Sequence, residues 1–156
     1  MSKQGISLYL HVHQPYRIRH YTVFDIAADH NYFNETDPTA NNSNRVIFEK
    51  VVDKSYRPML SVLLRLAERH PDFKVSFSIT GTFIEQAKEW APDVLEDFRK
   101  LVASGNAEIV AETYHHSLAF FYSRDEFNHQ VDIHEATIQE LFGVKPTVFR
   151  NTELAY

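Results

Sequence analysis

His11 and His13 stand two apart in "LHVHQPYR", residues 10–17. On a strand that spacing puts both imidazoles on one face. There they can donate hydrogen bonds to a polyhydroxylated ligand or bind a metal ion. Gln14 adds an amide that both donates and accepts, and Pro15 ends the strand. A second set lies in "GNAEIVAETYHHSLA", residues 105–119. Glu108 and Glu112 are four apart and share a strand face, opposite Ile109. Two carboxylates in a buried parallel strand are costly unless they face a polar cavity. The plainer alternative is an edge strand with one wet face. Tyr114, His115 and His116 continue the polar run. The third set closes the chain in "FRNTELAY", residues 149–156, where Glu153 follows Arg150 and Asn151. A neighbouring cation favours the ionised carboxylate. An ionised carboxylate suits a nucleophile that attacks an anomeric carbon. The bland alternative for such a glutamate is a solvated surface group.

Composition sets the frame around these groups. The chain has 156 residues, enough for one domain with a real core. Hydrophobic residues make up 44% and aromatics 13%, which is globular rather than disordered. The formal charge of −5, with no long Lys/Arg run, argues against nucleic acid as a partner. There is no cysteine, so disulfides, thiolate metal sites and Cys nucleophiles are excluded. The apolar run Ile6–Leu10 is too short for a signal segment or a membrane span, and a cytoplasmic protein is expected. Four of the nine histidines form two tight pairs, His11/His13 and His115/His116, which fall where strands end.

The elements that must position these groups alternate in type. Residues 5–13 alternate as a first strand, with Ile6, Leu8 and Leu10 on one side. A polar, aromatic loop follows over 14–44, long enough to suggest a function. It contains the sequons "NET" and "NNS", which chance explains in a cytoplasmic chain. Residues 44–70 have helical period, divided or kinked at Pro58. A second strand spans 72–80, with Phe73, Val75, Phe77 and Ile79 on one side. Gly81 at its end is expected to permit a tight turn. Two short helices meet before Pro92, and Gly105 closes the second. A third strand covers 106–116. A helix over 123–143 opens on a Ser123/Glu126 capping box and ends at Gly143. A fourth strand covers 145–149.

Strands joined by helical crossovers run parallel, so the fold class is α/β. The polar clusters then gather at the carboxyl ends of four parallel strands, where such folds place their sites. Four strands do not close a parallel barrel, which takes about eight. Residues 1–156 therefore read as the first half of a larger catalytic domain, with a last strand whose edge is unpaired.

The three stretches together resemble glycoside hydrolase family 57, the group of α-amylases, 4-α-glucanotransferases, amylopullulanases and branching enzymes. "LHVHQPYR" is similar to its first signature, built on His-Gln-Pro. "GNAEIVAETYHHSLA" is similar to the second, with its Gly-x-x-Glu core. "FRNTELAY" is similar to the third, in its α-amylase-like wording. The resemblance implies a (β/α)7 barrel, of which this chain holds roughly four strands, and a retaining mechanism on α-glucans. It maps the nucleophile to Glu153 and places His11, His13 and Gln14 in the donor-sugar subsite. It makes Glu108 a site carboxylate, with Glu112, His116, Arg150 and Asn151 completing the expected substrate-binding set. It implies no metal and no cofactor.

Retention needs a second carboxyl about 5–5.5 Å from the first. In this family that group is an Asp in a later signature, which this sequence does not contain. Asp125 and Asp132 lie on the expected helix, not at a strand end. The 156 residues alone are expected to be inactive. Expected partners are an α-glucan or maltooligosaccharide, and either the remaining part of the barrel or a second copy docked on the open edge. Neither nucleic acid nor membrane is expected. Two rivals stand beside this reading. One is a metal-dependent hydrolase or deacetylase using His11 and His13. The other is a non-catalytic glucan-binding half of a split enzyme.

Overall fold

The alternating runs form a parallel sheet. A computed structural model describes residues 5–33 and 43–155. Strands β1 (Tyr9–Val12), β2 (Val75–Ile79) and β3 (Ala107–Val110) lie in the order β1-β2-β3, all parallel. Tyr9 pairs with Ser76, and Ser76 with Glu108. The first strand is shorter than its pattern, because Ile6 is 98% exposed and packs on nothing that would hold it in the sheet. The fourth strand shrinks to one parallel bridge, Ala111 with Phe149. The Ala111 N–H donates to the Val148 carbonyl, and the Arg150 N–H donates back to the Ala111 carbonyl. These two bonds fix where the chain enters its last turn.

Helices α1 (Asn44–Val51), α2 (Arg57–Arg69), α3 (Gly81–Trp90), α4 (Pro92–Ala103) and α5 (Arg124–Phe142) carry the crossovers. Their apolar stripes supply Phe48, Leu60, Phe83, Phe98 and Ile138 to one core with Val12, Phe77 and Ile109 of the sheet. Phe77 meets Phe98 edge-on, with ring centroids 5.2 Å apart. Burying such rings drives the sheet and helices together. The other sheet face is polar: Tyr9, Ser76, Ser78 and Glu108 alternate with the core residues on their strands.

Pro58 neither breaks nor separates the helices. Between α1 and α2 the chain makes a π-helical turn, Val52–Tyr56, with the Arg57 N–H bonded to the Val52 carbonyl. The wider turn absorbs the missing proline donor. The expected end signals of α5 are met: Ser123 Oγ accepts from the Glu126 N–H at 3.2 Å, and Gly143 is left-handed at φ +72°. Gly81 differs from expectation. It lies in the first turn of α3, and a Cβ there would collide with the Tyr114 ring. Its need is space, not an unusual turn.

Part of the long loop is described. Ile18 and Phe33 form an antiparallel bridge. Buried Asn44 accepts from the Arg17 N–H at 2.7 Å and donates to the Arg17 carbonyl at 3.2 Å. The sequon NET and the first two residues of NNS lie outside the described residues. None of the helices among the described residues is long and apolar enough to cross a membrane.

Candidate active site

The strand ends converge as expected, and Glu112 is their centre. It follows β3, its side chain is fully buried, and it takes two imidazoles. His11 Nε2 lies 3.4 Å and His116 Nδ1 3.1 Å from Glu112 Oε2. The other nitrogen of His116 lies 3.4 Å from Glu153 Oε1. His116 therefore bridges a buried carboxylate and an exposed one, whose side chain is 74% accessible. The rings of His11 and His13 stack in parallel, 5.7 Å apart, and His116 packs 4.5 and 4.6 Å from them.

The charges follow from these contacts. Burial pushes the Glu112 carboxyl up, but the hydrogen bonds from His11 and His116 overrule it and hold it at about 2. His116 is raised, chiefly by its bond to Glu112, with Glu153 adding to it. Protonated, it donates from both nitrogens. His13 is lowered to about 4, first by burial and then by the neighbouring imidazoles of His116 and His11. It stays neutral, with Nδ1 3.1 Å from Thr80 Oγ1.

Backbone geometry marks two of these residues. His116 and Glu153 both adopt φ +54°, a left-handed conformation uncommon outside glycine and often found at functional sites. Asn151 shapes the Glu153 turn. Its Oδ1 accepts from the Thr152 N–H, and its Nδ2 donates to the Ala155 carbonyl at 2.6 Å. The Gln14 carbonyl accepts from buried Gln86 Nε2 at 2.8 Å.

Two expected members stand elsewhere. Glu108 shares a strand face with Glu112 but sits four residues back, about 13 Å along an extended chain. It is exposed and accepts from Ser76 Oγ at 3.3 Å. Arg150 does not pair with Glu153. Its guanidinium lies 5.4 Å over the Tyr9 ring, and its buried Nη1 has no hydrogen-bond partner among the described residues.

The sequence reading missed His134. It is fully buried on α5 and joins two strand ends: Nε2 donates to the Ile79 carbonyl at 2.9 Å, and Nδ1 accepts from the Glu112 N–H at 3.5 Å. The signal was present in the buried stripe Gln130, His134, Ile138 and Leu141 of α5, where a histidine replaces an apolar residue. Tyr56, set by the π turn, also escaped notice. Its hydroxyl donates to the His13 carbonyl at 3.4 Å.

Comparison with known proteins settles the kinship of this arrangement. The family model described as glycosyl hydrolase family 57 matches residues 7–156. The chain belongs to that family. A protein of Methanocaldococcus jannaschii, provisionally named an α-amylase, is 48% identical over 114 residues, 72% of this chain. The match spans 24% of that relative's length. Among solved structures, the 4-α-glucanotransferase of Thermococcus litoralis aligns over 94% of this chain and 18% of its own, at 22% identity and TM-score 0.67. A family 57 branching enzyme of Thermococcus kodakaraensis aligns over 96% of this chain and 33% of its own, at 17% identity and TM-score 0.67. The sheet and its helices thus have the family 57 fold, as far as this chain extends along it.

Proposed function

We propose that this chain is the nucleophile-bearing first half of a retaining, α-amylase-type family 57 catalytic domain acting on α-glucans. The observation that carries the reading is His116 held between buried Glu112 and exposed Glu153. Glu112 anchors the His116 ring, and that ring orients Glu153. The Glu153 carboxylate then attacks the anomeric carbon, forming a glycosyl ester as the glycosidic bond breaks. His11 and His13 offer ring N–H groups to sugar hydroxyls beside it.

The leaving oxygen needs a proton. Glu112 cannot supply it, because a carboxyl held at about 2 is ionised at neutral pH. Glu108 is too far back along β3. The resemblance to family 57 implies that the acid is an Asp of the remaining barrel, which would also close the sheet into a (β/α)7 barrel. Starch or maltooligosaccharide assays on the 156 residues beside the longer protein test this. The longer protein is expected to release the α-anomer first, as seen by proton NMR, and the short chain to give no turnover. Robust turnover by the short chain would refute the missing acid.

One observation favours the metal-dependent rival. Ligand atoms of His11, Glu112 and His116 lie within 4.8 Å of one another, a spacing a tetrahedral zinc ion could bridge. The set differs from the expected pair, since His13 bonds Thr80 instead. Stoichiometric zinc, lost in His116→Ala, would favour that reading.

A further inference from the structure

A cavity of about 490 Å³ opens beside the cluster, lined by His13, Tyr16, Phe33, Thr82, Glu85 and His116 among others. Its size lies within the range of small-molecule sites, about 300–1,000 Å³. His13 and His116 belong to both the cavity and the cluster, so whatever fills the cavity adjoins the group held at Glu153. Glu153 itself is not in its wall.

The lining has two characters. Tyr16 and Phe33 form an apolar wall, with ring centroids 5.5 Å apart and planes inclined by 46°. Glu85 contributes a carboxylate in place by construction: the Tyr114 hydroxyl donates to its Oε1 at 2.9 Å. Tyr114 is fixed in turn. Its ring lies flat against Gly81, where a methyl group would not fit, and its carbonyl accepts from the Gly81 N–H at 2.8 Å. One Tyr114 bond leaves most acceptor positions of Glu85 open. The aromatic wall is also held in advance, through the Ile18–Phe33 bridge and the Asn44 clamp on Arg17. A pyranose has both surfaces this cavity answers, C–H patches for the rings and hydroxyls for the carboxylate and imidazoles. Sites held in place beforehand lose less on binding.

We infer that this cavity is a second glucosyl subsite, taking the sugar unit next to the one at Glu153, with Tyr16 and Phe33 as its wall and Glu85 as a hydroxyl acceptor. The inference rests on the α-glucan reading above. Occupying the cavity together with the site at Glu153 favours an oligosaccharide over a single glucose.

NMR titration of the 156-residue chain, following the His13 and His116 ring signals, tests it with glucose, maltose and maltotriose. Wild-type affinity should rise from glucose to maltose. Tyr16→Ala or Phe33→Ala should lower the maltose-to-glucose affinity ratio about tenfold, the worth of one aromatic contact. Glu85→Gln should lower it about threefold, and Tyr16→Phe should preserve it, which separates a lost wall from a lost fold. If the ratio is unaltered in all the variants while the sugars still bind, the subsite is refuted and the α-glucan reading stands. If no glucan binds the wild-type chain, both fall together.

Discussion

Glu112 decides the chemistry of the single residues around it. Its Oε2 serves two imidazoles, and its buried Oε1 has no partner among the described residues, so the carboxylate depends on His11 and His116 for its charge. Held at about 2 instead of 4.5, it stabilises the fold above pH 4.5 and loses that contribution as pH falls toward 2. His116, raised above 6.5, contributes below that pH and loses its contribution as pH climbs through the raised value. Lowered His13 acts the other way, costing stability as pH falls from 6.5 to about 4, because the unfolded chain binds that proton first. We predict that Glu112→Gln lowers the His116 pKa in an NMR titration and destabilises the neutral protein by about 3 kcal/mol, since it strips a buried charge of its partner. The difference from wild type should shrink as pH falls toward 2; a gap independent of pH would contradict the pairing. Gly81→Ala should expel the Tyr114 ring, visible as a Tyr114 hydroxyl returning to the ordinary range from its raised pKa. Much of this was legible in the residue types. The spacing of His11 and His13 placed both rings together, as the stack confirms. Glu108 misled because a shared strand face is not a shared place: only the last residues of a strand reach its end. Arg150 misled because adjacency in sequence does not favour Glu153 over the Tyr9 ring, which lies across the sheet.

At the scale of elements, three supports hold the strand ends in register. The His134 ring ties the end of β2 to Glu112, two residues past β3, the π turn aims Tyr56 at His13, and Gln86 of α3 bonds the Gln14 carbonyl. His134→Leu leaves a buried carbonyl and a buried N–H unpaired, each worth about 1–3 kcal/mol. Urea denaturation should show a loss of about 3 kcal/mol, and His134→Gln, which can still donate to one side, should recover part of it. Equal losses in both variants would deny His134 its bridging bonds. Strand and helix order was readable from apolar period, and the capping box and Gly143 placed the limits of α5. The π turn was not readable. Pro58 announces a defect in a helix, but the sequence around it does not say whether the helix breaks, bends or widens. The fourth strand was overread because "PTVF" has strand-forming residues, yet Ala111 is the one strand partner Phe149 finds among the described residues.

At the scale of the molecule, the sheet keeps one polar face where Tyr9, Ser76, Ser78 and Glu108 line up and where Arg150 leaves a buried nitrogen unmatched. A closed barrel would turn that face inward and supply partners to it. We predict that a longer chain carrying further barrel strands would resist urea more strongly than the 156 residues, whose exposed edges favour self-association at high concentration in sedimentation runs. A monomeric short chain as stable as the whole would argue that these residues are a complete unit. The parallel topology was legible here, because crossover helices leave little choice; closure was not, since four strands do not close a parallel barrel. The central claim is that Glu153 is the nucleophile, and covalent trapping tests it most directly. With 5-fluoro-α-glucosyl fluoride, fluoride leaves with its electron pair and needs no acid, so the 156-residue chain can itself form the glucosyl ester. Mass spectrometry of the digested chain should find the fluoroglucosyl group on Glu153 and none in Glu153→Ala. Labelling of another carboxylate, or no labelling of a chain that binds maltooligosaccharide, would contradict the account.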